Sequence, residues 1–72
     1  MNELEIKEMS IRSARSALEQ QYDYDSLEDA LYSYENNCIE TLVDCGIGTP
    51  ENFEIVYQAF AAEAKKIKGE TK

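Results

Sequence analysis

Histidine and tryptophan are absent from the chain, and no lysine or arginine occurs between Ser16 and Ala64. The first absence removes the side chain that most often moves protons near neutral pH. The second removes, across the middle of the chain, the contacts that a phosphate backbone requires. Cysteine is limited to Cys38 and Cys45, and proline to Pro50. Two thiols without a histidine are too few to close a zinc site. They stand seven residues apart in one helical pattern, about 10 Å along the axis at roughly 1.5 Å per residue. A disulfide needs its Cα atoms within about 7 Å, so both are expected as reduced residues on an apolar helix face, which suits a cytoplasmic protein. No apolar run approaches the roughly 20 residues that cross a bilayer. The opening Met1-Asn2-Glu3-Leu4-Glu5 has neither the basic nor the apolar region of a secretory signal.

What the middle does contain is eleven carboxylates: Glu19, Asp23, Asp25, Glu28, Asp29, Glu35, Glu40, Asp44, Glu51, Glu54 and Glu63. All seven basic residues lie outside it, Lys7, Arg12 and Arg15 before and Lys65, Lys66, Lys68 and Lys72 after, so the net charge of -8 understates the asymmetry. A field of one sign attracts basic surfaces and repels polyanions and anionic membranes. Direct nucleic-acid and membrane binding are therefore not expected. With 72 residues the chain makes one domain. A domain of this size buries only about 60% of the surface its unfolded chain exposes, which makes oligomerisation or a partner the expected further source of stability.

The periodicity predicts an all-α, small antiparallel three-helix domain, with helices at about 3–22, 26–45 and 50–68 and a frayed tail from Gly69 to Lys72. In the first, Glu3 with Lys7 and Glu8 with Arg12 stand at the favourable i,i+4 spacing. Leu4, Ile11, Ala14, Leu18 and Tyr22 form its apolar stripe, with Ile6, Met9 and Ala17 a weaker line on the opposite side. The second starts at Asp25 or Ser26 as N-cap, with an acid three residues on. It carries Leu27, Leu31, Tyr34, Cys38, Thr41, Leu42 and Cys45 on one face, and Gly46-Ile47 is placed for a Schellman ending. Tyr32, Ile39 and Val43 form a second apolar line, which faces either the other two helices or another chain. Thr49 and Pro50 open the third helix, whose core positions are Phe53, Val56, Tyr57, Phe60, Ala64 and Ile67.

No chemistry-bearing constellation emerges. Gly46 and Gly48 mark a helix stop rather than a phosphate cradle. Asp23, Asp25, Glu28 and Asp29 lack the glycine and distal glutamate of a calcium loop. The carboxylates of the middle run fall mostly opposite the apolar stripes, as solvated charge. No metal, cofactor or enzymatic activity is expected.

Asp25-Ser26-Leu27 at the start of an acidic helix resembles the Asp-Ser-Leu of acyl and peptidyl carrier proteins, and the chain's size and acidity suit that family. The resemblance implies a phosphopantetheine arm on Ser26. It covers three residues, and Tyr24 precedes the motif where that family carries glycine. A helix cap accounts for the same letters through backbone hydrogen bonding.

The segment from Tyr22 to Tyr34 is a denser signal, holding four of the five tyrosines and four carboxylates. Aromatic rings anchor interfaces at low entropic cost. With Tyr22 and Tyr34 assigned to the core, Tyr24 and Tyr32 are left for the surface. The expected function is a non-enzymatic protein-binding module whose residues are Asp23, Tyr24, Asp25, Glu28, Asp29, Tyr32, Glu35, Ile39 and Val43. Its partner is a basic-surfaced protein, such as a DNA- or RNA-binding protein whose channel the carboxylates block as phosphate mimics. Small size and missing catalytic groups fit an inhibitor of phage or mobile-element type. The alternatives are a self-associating subunit that pairs through Tyr32, Ile39 and Val43 as a homodimer, and the carrier protein.

Overall fold

The computed structural model describes residues 1–70, and the side chains of residues 1–66. Three helices form the fold: α1 (Glu3–Glu19), α2 (Leu27–Asp44) and α3 (Pro50–Glu70). Consecutive helices run antiparallel, and α1 packs along both α2 and α3, which touch each other less.

Side-chain caps start each helix. The Asn2 side chain accepts from the Glu5 N–H at 2.9 Å while the Glu5 carboxylate accepts from the Asn2 N–H at 3.1 Å, a reciprocal capping box. Of the two candidates for α2, Ser26 is the cap, its Oγ accepting from the Asp29 N–H at 3.1 Å. Thr49 Oγ1 accepts from the Asn52 N–H at 3.2 Å and opens α3 as expected. Between them α2 closes with the Schellman pair. The Ile47 N–H reaches the Leu42 carbonyl at 2.9 Å and the Gly46 N–H the Val43 carbonyl at 3.0 Å, across Gly46 at φ 75°.

Two boundaries differ from the expectation. The first helix stops at Glu19 rather than Tyr22, and residues Gln21–Asp23 wind into a 3₁₀ turn. The Gln21 side-chain amide donates to the Leu18 carbonyl at 2.9 Å, and the Asp23 and Tyr24 N–H groups close i→i+3 bonds, so the α-helical ladder tightens and ends. The third helix continues through Gly69 and Glu70; Thr71 and Lys72, also assigned to the tail, lie outside the described residues.

The core is Ile6, Ala14, Cys38, Leu42, Val56 and Phe60, surrounded by Met9, Leu31, Tyr34, Ile39, Ile47, Phe53 and Ile55. For α1 only Ala14 of the expected stripe is fully buried, and it is joined by Ile6 and Ala17 of the line expected to be weaker. The buried residues of α1 are Ile6, Ser10, Ala14 and Ala17, whereas Leu4 is 63% exposed and Tyr22 89% exposed. Tyr22 leaves the core because the 3₁₀ turn changes its rotation about the axis. Leu4 lies outside because the helix turns the face of Ile6, Ser10, Ala14 and Ala17 inward. Ser10 is tolerated there because its hydroxyl donates to the Ile6 carbonyl at 2.8 Å. Cys38 is buried as expected, but Cys45 is exposed, having left the core face at the helix end. Tyr57 is also exposed, while Ala59 takes the inward position beside Val56 and Phe60. Ile67, the last predicted core position, falls outside the described side chains.

The reassigned core is testable by urea unfolding. Ala17→Leu overfills a fully buried site and is expected to destabilise by about 1–3 kcal/mol, while Tyr22→Ser should stay within about 0.5 kcal/mol of wild type. The opposite ranking would restore the stripe predicted from sequence.

Candidate protein-binding surface

Glu28, Tyr32, Glu35, Ile39 and Val43 recur along α2 at steps of four, three, four and four, so one side of the helix carries them. The first three line a shallow groove of 280 Å³ against α3, which contributes Tyr57, Phe60, Ala61 and Ala64. Tyr32 is 67% exposed and Tyr57 45% exposed, so each helix presents a tyrosine at the groove. None of the described residues lining it is a cation.

The remaining predicted residues distribute themselves around this groove. Ile39 is half-buried against the core. Val43 is exposed near the α2–α3 corner, where it and Phe53 lie so close to Gly48 that a Cβ there would meet Val43 Cγ2 at 3.0 Å. The second apolar line of α2 is thus divided, Ile39 serving the core and Tyr32 and Val43 meeting solvent. Asp23 sits in the 3₁₀ turn and Tyr24 and Asp25 in the link to α2, all exposed. Tyr24 sets its ring edge-on to Tyr34, with centroids 6.3 Å apart and planes at 62°. Asp29 is exposed in the first turn of α2, where its charge suits the helix dipole.

Burial pushes the Glu35 carboxyl above its ordinary range. Burial likewise raises the Cys38 thiol, opposed by a hydrogen bond with Ser13 and reinforced by the Glu35 charge. Cys38 is therefore held as a neutral thiol, the less nucleophilic form.

Sequence reasoning missed Tyr57, which it placed in the core, and Glu63, which it counted among the solvated acids. Glu63 is 7% exposed. It lies 3.6 Å from Arg15 Nε and 3.5 Å from Lys66 Nζ, the two ion pairs among the described residues. The signal for its burial was present, because Glu63 continues the inward line of Val56 and Phe60 at a step of three. Basic residues from both ends of the sequence thus converge on the α1–α3 side, away from the groove at α2.

Among the described residues no group of three or more Cys, Asp or Glu is arranged to hold a metal ion. Ser26 Oγ is engaged by the Asp29 N–H. No protein-family model, curated protein or solved structure matches the chain. The Asp25-Ser26-Leu27 resemblance stands on its three residues alone.

Glu35 gives a pH prediction with a definite sign. Its folded pKa is raised, so ionisation opposes folding, and the stability tied to the neutral carboxyl is lost as pH rises through the folded value. Glu35→Gln should therefore stabilise the domain at pH 7, and the gain should shrink as pH falls through the folded pKa towards the ordinary value of 4.5. Denaturant unfolding at neutral and acid pH measures it, and a gain that grows on acidification contradicts this account.

Proposed function

We propose that the protein is a non-enzymatic binding module whose α2–α3 face docks on a basic protein surface, such as the nucleic-acid channel of a DNA- or RNA-binding protein. The observation that carries this reading is the contrast between two partly or fully buried carboxylates. Glu63 has two cations within 3.6 Å. Glu35 is partly desolvated in a groove whose described lining holds no cation. A charge that has lost water without gaining a counter-charge is improved by a partner that supplies one.

The tyrosines add the second ingredient. Tyr32 and Tyr57 present broad rings with a polar tip, the kind of side chain that anchors an interface after charge has steered the encounter. Glu28 and Glu35 lie about 10 Å apart along α2, at about 1.5 Å per residue. Each carboxylate can take an arginine fork, where a nucleic acid would offer a phosphate. The acids at Asp23, Asp25 and Asp29 extend the negative field beyond the groove and raise the association rate.

The test compares wild type with a variant carrying Asp25→Asn, Glu28→Gln, Asp29→Asn and Glu35→Gln, each immobilised and exposed to lysate at low and high salt. Wild type is expected to retain a nucleic-acid-binding protein that salt or added DNA or RNA displaces. The folded variant should bind that protein at least about tenfold more weakly, with a flatter salt dependence. Equal affinity in wild type and variant refutes the charge-based reading. Tyr32→Ser with Tyr57→Ser should speed dissociation while leaving the salt dependence in place.

A further inference from the structure

On α1, Leu4, Ile11 and Leu18 recur every seven residues along a line about a quarter-turn from the centre of the buried line of Ile6, Ser10, Ala14 and Ala17. Leu4 is largely exposed and the other two are half-buried. These three belong to the stripe that the sequence assigns to the core, of which only Ala14 is fully buried, and among the described residues nothing covers Leu4. Beside it a groove of 620 Å³ opens between α1 and α3, floored by Ile11, Ile55, Ala59 and Ala62, and no residue of α2 lines it. The adjoining hollow on α1 is lined by Glu8, Ile11, Arg12 and Arg15.

The charge on this side sets it apart from the rest of the surface. Lys7, Arg12, Arg15 and Lys66 stand against Glu8, Glu54 and Glu63, a net of +1, which leaves -9 on the remainder of a chain of net charge -8. The charge outside this patch is strongly negative in sum, so copies of the chain repel one another wherever its acids face each other. The charges are also ordered along the groove. Glu8 and Glu54, with Lys7 beside them, lie towards the end where α1 and α3 begin, a net of -1, and Arg15 and Lys66, with Glu63 between them, towards the end where they finish, a net of +1, with α1 and α3 running parallel.

We propose that this α1–α3 face is a two-fold interface between two copies of the chain. A two-fold axis across the groove sets the helices of one copy antiparallel to those of the other. The acidic end of each groove then meets the basic end of its mate, so that Glu8 and Glu54 of each copy oppose Arg15 and Lys66 of the other, twice over. Ile11 lies near the axis, and Leu4 of each copy covers the Leu18 end of the other. Ala59 and Ala62 hold the floor low, so that helices approach at the roughly 8–10 Å of ordinary packing. α1 and α3 of the two copies together make a four-helix layer. A standard interface takes about 800 Å² from each partner, about a sixth of the 4980 Å² that one chain exposes. Both α2–α3 grooves stay free in such a dimer, so the interface stands or falls independently of the binding function proposed for them.

Sedimentation velocity on the full chain, from about 1 to about 200 µM, decides the matter because a self-associating chain changes mass with concentration. The expected result is a species of twice the 8.2 kDa chain mass at the upper end. Ala62→Glu, at an exposed helical position, and Glu8→Lys with Glu54→Lys, which sets like charges face to face, should each raise the dissociation constant at least about tenfold. Circular dichroism checks that each remains helical, and if one unfolds the other decides. Tyr32→Ser with Val43→Ser on α2 should leave the dimer intact. A single species of 8.2 kDa at every concentration overturns the proposal. So does a dimer indifferent to both α1–α3 variants, or one broken by the α2 pair.

Discussion

The inward line of α1 is made of Ser10, Ala14 and Ala17 below a single large residue, Ile6, and the rest of the molecule is arranged around how little room it takes. Small side chains let α1 lie close along both neighbours, so one short helix organises the packing of the other two. Ser10 belongs to this line without a polar penalty because its hydroxyl is bonded within its own helix. With α1 between them on one side, α2 and α3 meet less tightly on the other, and the groove bearing Tyr32 and Tyr57 opens there. The same rotation that turns the small residues inward leaves Leu4 exposed and Ile11 half-buried at the α1–α3 groove. Both uncovered surfaces of the domain follow from one choice of packed face.

The electrostatics divide along the same geometry. In sequence the cations appear marginal, confined to the two ends of a chain whose middle is all acid. Folding brings those ends together, because α1 and α3 run side by side, and Arg15 and Lys66 converge on Glu63. The domain becomes two-faced, with one side carrying the ion pairs and the other a groove whose described lining holds carboxylates and no cation. Glu63 and Glu35 are the same residue type under opposite conditions, the first buried with cations beside it, the second partly desolvated and raised in pKa.

Capping chemistry was readable because it is local. Ser26, Thr49, Pro50 and the Gly46-Ile47 ending act through backbone groups within a few residues, and each sits where its neighbours in sequence require. The acidic, aromatic side of α2 was readable for the same reason, since Glu28, Tyr32 and Glu35 share a face at any tertiary arrangement. The face that α1 buries was not readable from hydrophobicity. Of the buried line only Ala14 belonged to the expected stripe; Leu4, Ile11 and Leu18 outweigh Ser10 and Ala17 on any apolar scale and drew that stripe about a quarter-turn round the helix. Tyr57 and Glu63 were misassigned through the same blindness to context. A tyrosine beside Val56 reads as core until Ala59 fills the inward position, and a glutamate reads as solvated until Arg15 arrives from the other end of the chain.

The two cysteines acquire different roles as reporters. Cys45 stands exposed where α2 ends, and Cys38 is buried between the helices with a thiol that burial keeps protonated. A small alkylating reagent meets the first in the folded domain and the second only when the helices part. The slower of the two labelling rates therefore times the opening of the core in unmodified protein. The chain carries an internal clock for its own breathing, set beside a reference thiol that keeps running whether the core is open or shut.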